Sequence, residues 1–517
     1  MTKFKTPLSL CLLAASMSLA AEPFTVNYSA SLEANAGSDA FAPYYVSALR
    51  NGRITSGKGA NLDLAVWKPI DLSKRFSYAF AAEGIGRGAN DISYERFNGQ
   101  WVNNRRSTSN VWLHQLYGEV KFRGVFLTVG LKEFHSKLLN ERLTSGDLSE
   151  SANTRPIPGA RAGFIDFQNI PFTKGWVQIQ GEIGYYKSTD NHWQDDRYNY
   201  FNYHINQGWW YNYKNLYFRT KPSENFSVTI GMQACAQFGG YTHYYRNGQM
   251  QGTEGHGVKF RDFFDMLVPR EGETYVVGNH VGNWDLHLRY RLHDGSEIKA
   301  YMQSPWEDGS GVGKLNGCDG LWGLEWKPAR RGLLGGALIE VISFMNQSGP
   351  IHYDYDDHPG TLLNENRATG ADDYYNNAWY NGYAIYGLSI GTPMAVEPVR
   401  NTGGATTRYL HNRFWGIHGA LEGDFMPELS YRAMANYRRY YGNIFIPATK
   451  ITGSFSAMAE VTWRPRTVAG LKVGAQLAFD AGNSVYTNNL GALVSVSYSG
   501  IFNFKTKKST PCADLSF

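Results

Sequence analysis

Cysteine is scarce, with four in 517 residues. Cys11 lies in the N-terminal segment, where the preceding Leu10 does not suit a lipid-anchor site. Cys235, Cys318 and Cys512 are scattered, odd in number and without CxxC spacing, which indicates neither a disulfide framework nor a structural zinc site. An excess of one charge is also missing. Fifty Lys and Arg face 45 Asp and Glu, so there is no basic concentration of the kind nucleic acid demands. Beyond the N-terminus no run of 18 apolar residues occurs, and the mean hydropathy is −0.40; a bundle of membrane helices is excluded. The H-E-x-x-H, G-x-S-x-G and P-loop signatures are absent. Gly84, Gly86 and Gly88 lack the helix that a dinucleotide loop requires and read as a flexible strand end.

What is present begins with an export signal. Lys3 and Lys5 precede an apolar core opening at Leu8 to Leu13, and Ser18-Leu19-Ala20 forms a small-x-small site before Ala21. A cleaved signal peptide is expected over 1–20, leaving 21–517 as the mature chain. Aromatics reach 15%, and there are 56 glycines, a composition suited to many strands with aromatic ends and tight turns.

Alternation is the recurring pattern. In FSVTIGMQACAQFGG, Phe226, Val228, Ile230, Met232, Ala234, Ala236 and Phe238 interleave with small or polar residues. A period of two is a strand with unlike faces. The segments 111–122, 125–134, 321–327, 429–438, 455–464, 471–480 and 492–499 behave alike. Their apolar faces often end in aromatics, as at Phe455 and Trp463, while Arg432, Glu460 and Gln476 sit mid-strand on the opposite faces. Aromatic girdles, polar inward faces and runs of about 9–11 residues fit a large antiparallel transmembrane β-barrel, all-β in class. No blade-like repeat at fixed period supports a propeller. Long polar, aromatic-rich connections, around 191–215, 241–274 and 346–383, are expected as extracellular loops. Within the second, Phe260, Phe263, Phe264 and Leu267 share one side at helical spacing.

Three acidic clusters, Asp195-Asp196, Asp354-Asp356-Asp357 and Asp372-Asp373, could serve glycoside hydrolysis or calcium. Sequence supplies no carboxylate separation, and no catalytic residue, metal or cofactor is assigned. The block GADDYYNNAWYNGY suits saccharide better. Tyr and Trp offer flat apolar faces with polar edges, and Asp and Asn bond hydroxyls. Asp372, Asp373, Tyr374, Tyr375, Asn376, Asn377, Trp379 and Tyr380 are the candidate polysaccharide-binding residues, with packing or an interfacial girdle as the alternative use of each. Arg155 and Arg161 in TRPIPGAR join them. Pro156 and Pro158 cannot extend a ladder, so this segment should leave the sheet or bend into the lumen, where the arginines meet luminal acids or sugar carboxylates.

Several blocks in fixed order carry a resemblance. SGDLSESANTRPIPGARAGFIDFQNIPFTKGWVQIQGEIGYYKSTD (145–190), residues 216–240, GNHVGNWD (278–285), WEDGSG (306–311), NQSGP (346–350), residues 370–393 and HNRFWGIHGALEG (411–423) resemble the Bacteroidetes Wzi-type capsule assembly proteins over roughly Tyr28 to Ser499. Thr154, between Asn153 and Arg155, and the tail 505–517 depart from the pattern. The resemblance implies an outer-membrane barrel of about 18 strands, with extracellular loops and short helices that plug the lumen. It also implies a lectin-like, non-enzymatic role in attaching exported capsular polysaccharide to the cell surface. The partners expected are that polysaccharide, outer-membrane lipid and the outer-membrane insertion machinery, with no nucleic acid. A porin or sugar-selective channel, and an outer-membrane enzyme acting on glycans or lipids, are the rival classes.

Overall fold

The computed structural model describes residues 24–97, 99–104, 110–267, 278–307, 309–314, 316–347, 372–377, 379–403 and 406–504. Eighteen strands form one closed antiparallel barrel. In chain order they are β1 (Phe24–Gly37), β2 (Gly59–Lys68), β3 (Phe76–Ala89), β4 (Asn110–Phe122), β5 (Val125–Leu131) and β6 (Gly159–Phe164, prolonged by Gln168–Asn169). They continue as β7 (Val177–Lys187), β8 (Trp210–Thr220), β9 (Phe226–Phe238), β10 (Asn279–Arg291), β11 (Glu297–Trp306) and β12 (Gly320–Lys327). The last six are β13 (Gly336–Ser343), β14 (Phe414–Met426), β15 (Leu429–Gly442), β16 (Pro447–Trp463), β17 (Leu471–Gly482) and β18 (Asn489–Phe504). Each strand pairs with its sequence neighbour, and β1 closes on β18 from Phe24↔Phe504 to Gly37↔Gly491. Closure removes both sheet edges, which a lipid environment requires.

The two faces differ as the alternation predicts. Ile230 is 52% exposed on the outer face of β9, while its neighbour Thr229 is 5% exposed and faces the lumen. Leu62, Leu64, Leu127, Val129, Ile339, Leu477, Val494 and Val496 continue the exposed apolar belt. Phe122, Tyr290, Trp463 and Phe502 ring one end, and Tyr437, Phe455 and Phe479 the other. No described helix is long and apolar enough to cross a membrane; this chain crosses with strands.

Connections at the two ends are unequal. At the end holding Phe24 and Phe504 they are short, as at 123–124 and 427–428. At the opposite end they are long, reaching 239–278 and 344–413. In outer-membrane barrels long loops are extracellular and short turns periplasmic.

β5 and β6 rise only part of the way up the wall. β5 pairs with β4 no higher than Leu131↔Leu116, although β4 continues to Asn110. Gly130 sets the departure: its φ is +125°, and a Cβ there would lie 2.1 Å from the Leu116 carbonyl oxygen. Only glycine tolerates both. The chain then turns inward at Lys132.

Candidate functional site

The lumen is filled. Residues 132–158 run through it, burying Leu139, Leu143, Leu148 and Ile157 in one core with Tyr211, Tyr213, Cys235, Leu321 and Phe344. A second segment, 372–413, adds Tyr375, Tyr383, Ile385, Ile390, Met394 and Tyr409 to the same core. The short helix α1 (Tyr44–Ser47) contributes Tyr44, Tyr45 and Val46.

The polar inner face of the wall grips these segments. Glu340 accepts from Thr144 Oγ1 and from the Ser145 amide, both at 2.7 Å. Gln303 Oε1 accepts the Leu148 amide (3.1 Å), and Gln303 Nε2 donates to Asp147 Oδ2 (3.0 Å). Gln233 Nε2 donates to the same carboxylate (2.9 Å). Arg142 Nε donates to Glu422 Oε2 (2.7 Å), and Asn140 Nδ2 to Glu325 Oε1 (2.7 Å). Buried backbone without regular structure needs such partners. The inward polar residues are therefore spent on holding the plug rather than on lining open water.

The two luminal segments also hold each other. Tyr375 OH donates to Leu148 O (2.6 Å), and Tyr383 OH to Ser149 O (2.8 Å). Asn153 Nδ2 and the Ser389 amide both donate to Glu397 Oε1, at 2.6 and 2.8 Å. Burial raises Glu397 to about 7 and Asp147 to about 6, with the charge of Asp285 adding to the second.

The candidate saccharide residues divide. Tyr374, Tyr375, Asn376 and Tyr380 are buried. Tyr374 packs edge-on to Phe344 (4.9 Å), and Tyr375 stacks on Tyr383 (5.6 Å); these ring faces are covered by protein. Asp373 Oδ1 accepts from Asn412 Nδ2 (2.6 Å). Asp372, Asp373, Asn377 and Trp379 keep part of their surface. Trp379 sits between His204 and His256, with ring centroids at 5.3 and 5.2 Å. These histidines come from a three-stranded cap sheet over the mouth, His204–Gln207, Gly240–Arg246 and Gln249–His256.

Arg155 lies in the luminal segment, as Pro156 and Pro158 imply, whereas Arg161 stands on β6, in the ladder, and points inward. Arg155 is held between Trp112 and Tyr386. Arg161 Nε lies 2.9 Å from Glu182 Oε2, with its guanidinium 4.1 Å from the Tyr213 ring centroid. Both meet luminal groups of the protein.

Of the acidic clusters, Asp195 is buried and accepts from Tyr245 OH (2.8 Å), with His192 and His243 Nδ1 each at 3.3 Å. The helix carrying it, α2 (Trp193–Tyr198), packs Trp193 and Tyr198 into a second core under the cap. The 354–357 cluster lies outside the described residues. Cys235 and Cys318 are free thiols, and Cys512 and the expected signal segment 1–20 lie outside the described residues.

One constellation carries no motif. Arg53 binds Asp63, Glu83 (2.6 Å) and Glu133 (2.8 Å), and His114 Nε2 lies 2.8 Å from the same Glu133 oxygen. Glu83, His114 and Glu133 have the spacing of metal ligands, and the Arg53 guanidinium already bridges both glutamates. A register shift between Glu83 and Gly84, opposite Gln115 and Leu113, turns His114 inward. Such a bulge is invisible in the sequence pattern. Burial pushes Glu133 upward, and the His114 bond and Arg53 charge outweigh it, holding Glu133 at about 2.

A cavity of about 140 Å³ beside β5–β7, lined by Thr128, Lys132, Glu133, Arg161 and Glu182, and another of about 150 Å³ beneath Tyr44 and Arg432 interrupt the packing.

No family model and no curated protein matches the chain. Among solved structures it is similar to Wzi of Escherichia coli, an outer membrane protein involved in group 1 capsule assembly and described as a carbohydrate binding β-barrel. Identity is 12%, coverage 96% of this chain and 89% of that one, and the TM-score 0.49. It is also similar to OccK3 (OpdO) of Pseudomonas aeruginosa, at 12% identity, coverage of 92% and 96% and TM-score 0.43. A third likeness is to OccAB2 of Acinetobacter baumannii, at 8% identity, coverage of 92% and 98% and TM-score 0.47.

Proposed function

We propose that this outer-membrane barrel binds exported capsular polysaccharide at its extracellular mouth and helps attach it to the cell surface, lectin-like and without a covalent step. The supporting observation is the filled lumen. Segments 132–158 and 372–413 share one buried core with the wall, a poor arrangement for bulk passage and a firm base for a binding face. The sequence blocks that resemble capsule assembly proteins favour the same reading, since blocks 145–190 and 370–393 supply most of both luminal segments. The face we assign consists of Trp379 with His204 and His256, edged by Asp372, Asp373 and Asn377. Stacking and hydrogen bonds there are weak singly, and a repeating polymer accumulates them as avidity. Arg155, Arg161 and the buried tyrosines support that face from below. The barrel reaches its membrane through the outer-membrane insertion machinery.

Planar-bilayer conductance of the purified protein, with and without the host's own capsule, tests the proposal. A closed barrel that retains the polymer is expected. Steady large conductance without polymer binding would overturn it in favour of a porin or sugar-selective channel.

A further inference from the structure

The outer wall is bare and apolar around most of the barrel, but the upper part of β7–β10 is clad. Tyr185, Trp210, Ala236 and Phe238 belong to the outward-facing set of their strands, because their neighbours Tyr186, Tyr211 and Cys235 face the luminal core. Yet Ala236 and Phe238 are 0% and 1% exposed. They are covered by α3 (Phe260–Asp265), from the β9–β10 loop. Phe263 packs edge-on to Tyr185, Trp210 and Phe238 at 5.2, 5.1 and 5.5 Å, and its carbonyl accepts from Tyr185 OH. The helix spacing read from the sequence is present but serves two directions. Phe263 and Met266 face the wall, while Phe260 and Phe264, 79% and 57% exposed, touch each other on the far side.

The height of this helix identifies its surroundings. From Phe226 to Phe238 the strand climbs twelve steps of about 3.3 Å, or about 30 Å along the normal at a tilt of about 40°. The apolar band of such a barrel is about 25 Å tall, so α3, seated on Phe238, lies at its outer edge. The wall below it carries the lipid-facing Ile230 and Leu288, 52% and 38% exposed. Cations frame the patch. Lys259 and Arg261 are exposed at α3, Arg261 paired with Asp265 (3.4 Å) and the Lys259 amide donating to Asp262 Oδ2 (2.7 Å). Lys187, over the Trp210 ring at 5.0 Å, and Lys214, bonded to Asn212 Oδ1 at 2.9 Å, are on the outward face of the wall without a carboxylate in ion-pair range among the described residues.

We propose that α3 and the wall beneath it form an interfacial site for anionic lipid. Phe260 and Phe264 enter the acyl region, and Lys187, Lys214 and Lys259 face lipid phosphates. An apolar face flanked by cations is the composition that such an interface selects.

The test uses full-length protein with Cys318→Ser and Cys512→Ser, spin-labelled singly through Phe260→Cys, Phe264→Cys, Ile230→Cys or Thr253→Cys. It is reconstituted in vesicles of phosphatidylcholine and phosphatidylglycerol. Labels at 260 and 264 are expected to relax faster with oxygen than with a water-soluble nickel chelate, as at 230 and opposite to 253. The triple variant Lys187→Gln, Lys214→Gln, Lys259→Gln should lose its preference for bound phosphatidylglycerol, by about fivefold per lysine. Nickel dominance at 260 and 264, with oxygen dominance kept at 230, would overturn the site. Spin–spin broadening between copies at 260 or 264 would instead assign the patch to a second copy. Nickel dominance at 230 as well would point to an error in the lipid face itself.

Discussion

The guanidinium carbon of Arg155 lies 4.0 Å from the centroid of the Trp112 ring. Trp112 belongs to the part of β4 that β5 leaves uncovered, and Arg155 to the segment that fills the gap. The same guanidinium also meets the Tyr386 ring, at 4.6 Å. One side chain thus joins the wall to both luminal segments. Desolvated cation–π contacts contribute about 2 kcal/mol, and lysine cannot reproduce the planar stack. Arg155→Ala should lower the temperature at which the folded barrel loses its heat-modifiable gel mobility, with Arg155→Lys recovering only part of it. A barrel of unchanged stability that no longer binds polymer would assign Arg155 to the ligand instead.

The unlike faces predict unlike costs. Ile230→Arg places a charge near the membrane midplane and should cost about 2–4 kcal/mol, read as failed or slowed folding into vesicles. Thr229→Ser, on the luminal side, should fold normally. Alternation alone would also permit Gln233→Arg. The structure does not, because Gln233 is 2% exposed and joins Asp147 to Asp285. That variant should fold while losing protection of residues 143–157 against amide exchange. Equal responses of Ile230→Arg and Thr229→Ser would reverse the orientation assigned here.

Asp147, Glu150 and Glu397 make plug anchoring pH-dependent. Burial raises all three, to about 6, 7 and 7, with Asp285 adding to the first. Unfolded carboxyls titrate near 4. The folded state therefore holds protons that the unfolded state has released. Their contribution is fully present below about pH 4 and is lost as pH rises through about 6–7. Amide exchange of 143–157 and 384–401, corrected for intrinsic rate, should be slower at pH 5 than at pH 8, and Asp147→Asn should flatten part of that difference. Equal protection at the two pH values would remove the linkage.

Trp379 and Tyr380 are neighbours with separable roles. Tyr380 is 2% exposed, so Tyr380→Ala should lower stability in the manner of a large-to-small core change, about 3–5 kcal/mol for an aromatic. Trp379 keeps exposed surface beside two histidines. Trp379→Ala should leave a normally folded barrel whose cells shed polysaccharide into the medium, with affinity falling up to about tenfold. Normal capsule retention in that variant would return Trp379 to a packing role.

Strand positions, their two faces and the inequality of the two ends were legible in the sequence, because an alternating pattern in a closed sheet leaves each residue only lipid or lumen. Phe226–Phe238 appeared almost residue for residue. Short plugging helices were expected in the lumen, but the irregular segments that fill most of it, and their partners, were not legible in the alternation. A polar inward face reads alike whether it meets water or the backbone of a plug, and only the fold brings Asp147 to Gln233 and Gln303, or Asn153 to Glu397 across 244 residues. The same limit applied outside. Phe238 ends an apolar outward face, which alternation assigns to lipid, and α3 covers it. In the acidic-aromatic block, composition indicated stacking chemistry, whereas tertiary packing decided which rings are fully buried. Tyr375 stacks on Tyr383 and is closed to ligand, while Trp379 keeps open surface. Local pattern specifies the side of the wall a residue occupies, and contacts between distant segments specify what it meets there.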